Sequence, residues 1–338
     1  MSLVKPSATI NLNGQQLSSA EAGMVSIRLD LSFNTHDRLQ MTVWPDSKLR
    51  DAQPGDELSI ELHTQTQSTS SIESVGALLS SNDSNALWTG SVDSVRSSAG
   101  AIQLIGLASS AQLNKVKLSA TWADQSIDKI VKDMAGEMAS DVEANMNLSN
   151  YSSDNTRSVW SHLYELAQLT GAELSSSASG GLRFVLASKG GSTTSLRYGA
   201  ELIDWRLVRQ QQANLTLAAE HGAASAAGKD KWHWLAHDPI GSNADSTNTP
   251  AAFSSREAAD LFSDAAKSQQ QRSATQGEVW IGGRTDLRPG SLIELLGLPQ
   301  GDSGTLRVKS VTHQMDGDTG FITALSVEGH SDSSGIGF

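Results

Sequence analysis

The chain has 338 residues, no cysteine, and 37 acidic against 25 basic residues, which gives a formal net charge of −12. This length allows two or three domains with a substantial core. The lack of cysteine excludes disulfides, thiolate zinc sites and cysteine nucleophiles, and the acidic balance argues against a protein that grips nucleic acid through its phosphates.

The first part of the chain carries alternating apolar and polar residues, the period of two that indicates strands with one buried face. Residues 34–37 supply turn chemistry between the first two runs, so these predict a hairpin. A serine-rich stretch over residues 68–86 predicts a loop insertion. Residues 1–120 are therefore predicted to form a first β-barrel domain. The predicted strands cover residues 25–33, 39–43, 58–62, 87–95 and 102–107.

The centre of the chain changes to helical spacing at about Trp122. Apolar residues over 127–138 predict a helix that Asp124 or Ser126 can cap. Ser158 can cap a second helix, which Gly171 would end. An alternating run over residues 182–186 follows, so residues 121–200 are predicted to form a small α+β domain.

Residues 201–275 are predicted to be a connecting segment, in which Trp205 begins the return to β structure. The segment contains an aromatic patch at residues 231–237 and a capping box at Ser254 and Glu257 that predicts a helix. His233 and His237 have the spacing of a metal-ligand pair. No metalloprotease glutamate and no third nearby ligand accompany them, so we interpret them as part of a packed aromatic patch.

Residues 276–329 repeat a phrase from the first part of the chain. Pro289-Gly290 is followed by an alternating run, as is Pro54-Gly55 far upstream, and both turns fit type II geometry. Each half also contains Val-x-x-Val, at residues 92–95 and 308–311, and this spacing breaks strict alternation. A β-bulge explains the break, and bulges curl a sheet toward closure. We therefore predict an internal duplication that gives two related β-barrels.

Motifs that carry enzyme chemistry are absent from the sequence. There is no Gly-x-Ser-x-Gly elbow, phosphate loop or dinucleotide fingerprint, and no pair of carboxylates stands out. Asp316-Gly317-Asp318 lacks the spaced ligands and closing glutamate of a calcium loop, so it predicts a hairpin turn. We expect no catalytic residue, no cofactor and no metal.

Four short sequence motifs, taken in their order along the chain, resemble those of phage baseplate-hub proteins of the late-control D family. This family is related to the hub portion of type VI secretion spike proteins. The motifs lie at residues 53–58 with 88–95, at 126–131, at 158–167 with 182–184, and at 283–290. The resemblance implies a mainly β fold with α+β insertions: two tube-like antiparallel β-barrel domains plus a small central α+β domain, assembled as a homotrimer. No needle-like segment follows Gly329, so a separate spike polypeptide is expected.

The predicted function is that of a structural, non-enzymatic baseplate hub of a phage tail or phage-derived contractile particle, joining a sixfold tail tube to a threefold spike. The expected partners are the tail tube protein, the spike protein and other baseplate proteins, with DNA only in transit through an acidic lumen. Pro54, Gly55, Arg288, Pro289 and Gly290 are the predicted interface residues. Residues 330–338 are predicted to be a flexible tail that can dock the spike.

The chain is expected in the particle baseplate, after assembly in the bacterial host cytoplasm. It has neither a basic region followed by an apolar run at its start nor the roughly 18 apolar residues of a membrane helix, so no membrane binding by the chain itself is expected. Two alternatives remain. One is a particle-borne cell-wall-degrading enzyme, and the other is a carbohydrate-binding module that uses Trp232 and Trp234 as a stacking platform.

Overall fold

The structure, a computed structural model, describes residues 7–63, 86–144, 146–186, 193–210, 217–219, 246–248, 256–299 and 304–330. Most of the described elements are strands, and the largest sheet contains 13 of them. The predicted mainly β class with an α+β insertion is confirmed. The predicted loop at 68–86, apart from residue 86, lies outside the described residues, as do the aromatic patch at 231–237 and Ser254.

The first β unit is an antiparallel array in the order β3-β4-β7-β6-β5-β1-β2. The predicted hairpin of β3 and β4 is confirmed, and so is the turn that joins β6 to β7. Sequence reasoning missed the hairpin of β1 and β2, which covers the edge of β5. The strands are β1 (Ser7–Leu12), β2 (Gln15–Ser18), β3 (Met24–Ser32), β4 (Arg38–Val43), β5 (Glu57–His63), β6 (Trp88–Ser97) and β7 (Ile102–Ala108).

The central α+β region has its own buried cluster, separate from that of the main sheet. Both predicted helices form where their caps lie: Ser126 Oγ accepts from the Lys129 amide, and Ser158 Oγ accepts from the Ser161 amide. Gly171 ends the second helix at φ +65°. The elements are β8 (Ala120–Ser126), α1 (Ile127–Ala135), β9 (Ala139–Glu143), β10 (Asn147–Ser153), α2 (Val159–Thr170), β11 (Ala172–Ser176) and β12 (Leu182–Leu186).

The second β unit starts earlier than the sequence indicated. Its strands are β13 (Thr193–Arg197), β14 (Leu202–Arg209), β17 (Thr275–Gly282), β18 (Leu292–Leu296), β19 (Gly304–Asp316) and β20 (Gly320–Gly329). Between β14 and β17 the chain contains a small strand pair, β15 (Leu217–Ala219) and β16 (Ser246–Asn248), and helix α3 (Arg256–Ser273). β13 pairs with β18 and β14 pairs with β17. Strands on both sides of the predicted boundaries at residues 200 and 276 therefore pair with each other, and the domain boundaries themselves stay predictions.

One strand pair fuses the two units. The long strand β19 pairs with β18 over its first residues and with β3 over its last, from Ser310 opposite Ser32 to Asp316 opposite Ser26. The two predicted β domains therefore share one sheet and one continuous buried core. In the part of the chain that the structure covers, no helix combines the length and the apolar character needed to span a membrane.

Candidate interface: two Pro-Gly turns and two strand edges

The two predicted Pro-Gly turns have the same geometry. Gly55 and Gly290 adopt φ +100° and +95°, the left-handed values that the third residue of a type II turn requires. The Gly55 amide donates to the Val92 carbonyl at 2.8 Å, and the Gly290 amide donates to the Val308 carbonyl at 2.8 Å. Each turn is thus pinned to the first valine of the Val-x-x-Val phrase in its own unit.

Both Val-x-x-Val phrases contain the predicted bulge. The register shifts between Val92 and Ser94 against β7, and between Val308 and Ser310 against β20. A residue added to one strand returns the next residues to the original face, so the second valine of each phrase also turns toward the core.

The match extends to the register of the flanking strands. Glu57 lies opposite Ser91 in the first unit, and Leu292 lies opposite Arg307 at the corresponding place in the second. The strand order β3-β4-β7-β6-β5-β1 has the counterpart β14-β17-β20-β19-β18-β13. The last pair differs in direction, since β1 is antiparallel to β5 whereas β13 is parallel to β18.

A second bulge is also shared. The register shifts between Met24 and Ser26 on β3, and between Leu202 and Asp204 on β14. Matching bulges at two places, on matching strands, support the predicted internal duplication as a repeat of one β unit. Sequence reasoning missed the repeat of β3 in β14. The only local signal was that Met24-Val25-Ser26 and Leu202-Ile203-Asp204 each place two apolar residues before a polar one, because residues 202–209 lack strong alternation.

The two turns lie in different surroundings. Pro54 and Gly55 are exposed, whereas Pro289 and Gly290 are half-buried. A Cβ built on Gly290 would lie 3.5 Å from the Phe33 ring and 3.7 Å from Glu173 Oε2, but one built on Gly55 would meet nothing within 4 Å. The second turn is therefore covered from within the chain, and the first is left open.

Arg288 points into the chain. Its guanidinium donates to the Leu87 carbonyl and lies near the buried Asp37 carboxyl, so it links the second unit to the first. Burial raises the pKa of Asp37 to about 7, although Arg288 opposes this shift, and burial lowers the pKa of Arg288 itself. The side chain thus serves a contact inside the chain, and a contact of Arg288 with another protein stays a prediction.

A buried ion cluster fixes the central region against the second unit. Arg307 of β19 pairs with Glu173 of β11 and with Glu328 of β20, and Arg272 of α3 also reaches Glu328 at 3.1 Å. Lys309 Nζ lies 4.0 Å from Glu328, at the rim of the cluster. Two buried cations thus face two buried anions, which compensates the charges that burial would otherwise penalise.

Two strand edges are open. β14 pairs with β17 on one edge, and within the described ranges no strand runs along the other. β6 pairs with β5 only from Trp88 to Ser91, so the same edge from Ser94 to Ser97 has no strand beside it in the described part of the chain. Ile203 and Val208 on β14 are 54% and 57% exposed, which is unusual for apolar residues in a strand.

The remaining predicted features are partly visible. The Asp316-Gly317-Asp318 stretch is a hairpin turn as predicted, with Asp316 Oδ1 accepting from the amides of Asp318 and Thr319. Over the described residues no group of three or more His, Asp or Glu side chains is arranged to hold a metal ion. His233, His237, Trp232 and Trp234 lie outside the described residues, so the stacking-platform alternative is untested.

No protein-family model matches the sequence, and no curated protein matches it. Solved structures do match along nearly the whole chain. A tail protein from Neisseria meningitidis MC58 aligns over 97% of both chains with a TM-score of 0.70 at 13% identity. A 43 kDa tail protein of prophage MuSo2 from Shewanella oneidensis aligns over 97% of this chain and 99% of its own with a TM-score of 0.68 at 14% identity.

A third similar structure comes from E. coli and is described as a component of the type VI secretion system with structural similarity to the bacteriophage T4 tail proteins gp27 and gp5. It aligns over 97% of this chain and 78% of its own, with a TM-score of 0.59 at 11% identity. The chain therefore has the fold of these tail and secretion-system proteins.

Proposed function

We propose that this chain is a structural subunit of the baseplate hub of a phage tail or phage-derived contractile particle, where it forms a homotrimer that joins a sixfold tail tube to a threefold spike. The observation that carries this proposal is the repeat of one β unit, with shared turns, bulges and register, inside a single chain. The fold that the chain shares with phage tail proteins supports the same assignment.

The repeat provides a route from threefold to sixfold symmetry. Three copies of a chain with two similar β units present six similar units in a ring, so one face can match a sixfold tube. The central α+β region occurs once in the described part of the chain, so three copies of it keep true threefold symmetry, which suits a trimeric spike. Head-to-tail contacts that complete a rotation give such a closed ring.

The charge and the lack of catalytic motifs fit a structural role. A net charge of −12 suits a ring through which DNA passes without adhering, because an acidic lumen repels phosphates. We assign the chain no enzymatic activity. In the particle it would contact the tube protein, the spike protein and other baseplate proteins, and it would reach the baseplate after assembly in the host cytoplasm.

The mass of the purified protein in solution tests this proposal. Native mass spectrometry and sedimentation should give three times the 35.8-kDa chain over a wide concentration range. End-on electron micrographs should show six similar lobes on one side of the ring and three on the other. A stable monomer at high concentration would overturn the trimer, and turnover of peptidoglycan that one acidic substitution abolishes would favour the wall-degrading enzyme instead.

A further inference from the structure

The contact between the two units inside one chain has a counterpart that no strand among the described residues fills. Inside the chain, the last part of β19 pairs with the outer edge of β3. In the repeat, β6 corresponds to β19 and β14 corresponds to β3. The last part of β6 and the outer edge of β14 are the two edges that have no strand beside them in the described residues. They belong to different units and do not pair with each other within the chain.

We infer that the open edge of β14 pairs, antiparallel, with the open edge of β6 from a second copy of this chain, and that this pairing closes the ring. The inference rests on the proposed homotrimer and names the surface that forms it. The occupant is a second copy because the chain already contains the same contact between its own two units. Such a contact is heterologous, since the two surfaces differ, and it closes when the rotation completes a circle.

The register follows from the internal contact. Asp30 lies opposite Thr312, and Thr312 Oγ1 donates to Asp30 Oδ1 at 2.7 Å across this pair. In the repeat, Val208 on β14 occupies the position that corresponds to Asp30, and Arg96 on β6 occupies the position that corresponds to Thr312. Arg96 of one copy should therefore lie directly opposite Val208 of the next, and Ser94–Ser97 should pair with residues 207–210.

Burial along the matching strands supports the inference. Ile27 and Leu29 on β3 are 1% and 0% exposed, and β19 covers their strand. Their counterparts on β14, Trp205 and Leu207, are only half-buried although they pack against the same core. The burial that the second unit lacks is what a neighbouring strand would supply.

The same comparison holds on the other edge. Val311 on β19 is fully buried beside β3, whereas its counterpart Val95 on β6 is half-buried. The exposed Val208 would face the aliphatic stem of Arg96, which can cover apolar surface while its charge stays in water. The hairpin of β6 and β7 turns sooner than that of β19 and β20, so this contact is shorter than the one inside the chain.

Engineered disulfides test the pairing, because the chain has no cysteine of its own. Directly opposed residues of antiparallel strands lie about 4.5–5.5 Å apart at Cα, within the range that a disulfide bridges. In the variant Arg96→Cys/Val208→Cys, mild oxidation should shift the band on a non-reducing denaturing gel from one chain to three. Equal amounts of Arg96→Cys and Val208→Cys chains, refolded together, should give a two-chain band that neither gives alone.

Two matched variants serve as the negative and the positive control for this crosslinking test. Arg96→Cys/Arg206→Cys uses an exposed residue two positions along the same strand, about 6.8 Å away, so it should stay as single chains on the gel. Asp30→Cys/Thr312→Cys should close inside one chain, with no shift to three chains, which shows that this class of pair can be bridged.

The outcomes separate the inference from the proposed function. A trimer by native mass in which Arg96→Cys/Val208→Cys fails to crosslink would overturn this strand pairing and leave the trimer standing. Equal crosslinking by the offset pair, or a two-chain band from Arg96→Cys alone, would also overturn it. A monomer by native mass would overturn the trimer and the pairing together.

Discussion

Arg307 and Glu173 form an ion pair that is buried at the boundary between the second β unit and the central region, with side chains only 4% and 10% exposed. Arg307 lies on β19, the strand that also fuses the two units, and Glu173 lies on β11. The orientation of the central region relative to the second β unit is therefore set by buried charge as well as by apolar contact. Burial raises the pKa of Glu173 although Arg307 opposes this shift.

Removing one member of this pair should destabilise the protein strongly. Arg307→Met leaves the Glu173 carboxylate buried without its closest cation, and we expect a loss of about 3–5 kcal/mol in the free energy of unfolding. The double variant Arg307→Met/Glu173→Gln should recover a large part of this loss. Urea unfolding measures both, and Arg50→Met, which breaks an exposed pair with Asp51, should change stability by less than about 1 kcal/mol. A double variant no more stable than Arg307→Met would contradict the pairing.

Asp37 should make stability fall as pH rises. The pKa of Asp37 is raised from 3.8 to about 7, chiefly by burial, so the folded protein holds this proton more tightly than the unfolded chain does. Its contribution is fully present below pH 3.8 and is lost as pH rises toward 7. Asp37→Asn stays neutral, so its free energy of unfolding should rise relative to that of the wild type across this window, by an amount on the order of a few kcal/mol at pH 8.

The matched control for Asp37 is Asp316→Asn, because the sign is opposite there. Amide hydrogen bonds from Thr319 and Asp318 help to lower the pKa of Asp316 to about 2, so its contribution is present above 3.8 and is lost as pH falls toward 2. Stability curves of the three proteins against pH would show both slopes. A constant difference between Asp37→Asn and wild type at all pH values would refute the raised pKa.

Gly55 and Gly290 should respond alike to substitution. Both have φ near +95° to +100°, and neither has an atom closer than 3.5 Å to a built Cβ. An alanine at either position therefore introduces backbone strain but no steric clash. We expect Gly55→Ala and Gly290→Ala each to lower the free energy of unfolding by roughly 1–2 kcal/mol. Gly100→Ala, at a glycine without positive φ and with open surroundings, should stay within about 0.5 kcal/mol. Unequal losses at the two turns would argue against their equivalence.

The two units fill the equivalent region of their cores with large residues at different positions, and this difference can be tested. In the first unit the buried Trp88 ring packs over Gly90 and Gly106, where built Cβ atoms would lie 2.6 Å from the indole. The register places Gly304 at the position that corresponds to Trp88, and Leu306 and Val327 at the positions that correspond to Gly90 and Gly106. A large residue at one position is thus replaced by large residues at neighbouring positions, one on the same strand and one on the adjacent strand.

Gly106→Val alone should therefore clash with Trp88 and destabilise the chain by about 1–3 kcal/mol or more. Trp88→Gly alone should cost at least the roughly 3–5 kcal/mol of a large core truncation. The double variant should be less destabilised than the sum of the two, since each change makes room for or fills the space of the other. Strict additivity in chemical unfolding would show that these positions do not share one space.

Much of the fold followed from local signals. The period of two marked β3 and β4, helical spacing with Ser126 and Ser158 marked α1 and α2, and the Pro-Gly phrases marked the turns that the structure contains. The broken spacing of Val-x-x-Val was enough to predict the bulges, because a bulge is the local way to keep both valines on the buried face.

The local sequence does not show which strands pair with each other. Residues 202–209 lacked a strong alternating pattern, and more than 60 residues separate them from β17, so β14 was assigned to a connecting segment. The direction of Arg288 was missed for the same reason. Only the folded chain brings its guanidinium to the Leu87 carbonyl, about two hundred residues away in sequence.

What the sequence by itself determined is a repeated β unit with its turns, bulges and helix caps, because each of these depends on the backbone preferences of a few neighbouring residues. The tertiary structure decided that the two repeats share one sheet through β3 and β19 and that β14 completes the second repeat. It also decided that one edge of each repeat has no strand beside it among the described residues. Those features depend on register and burial between strands far apart in the chain, where hydrogen bonds and core contacts choose the partner and local propensity does not.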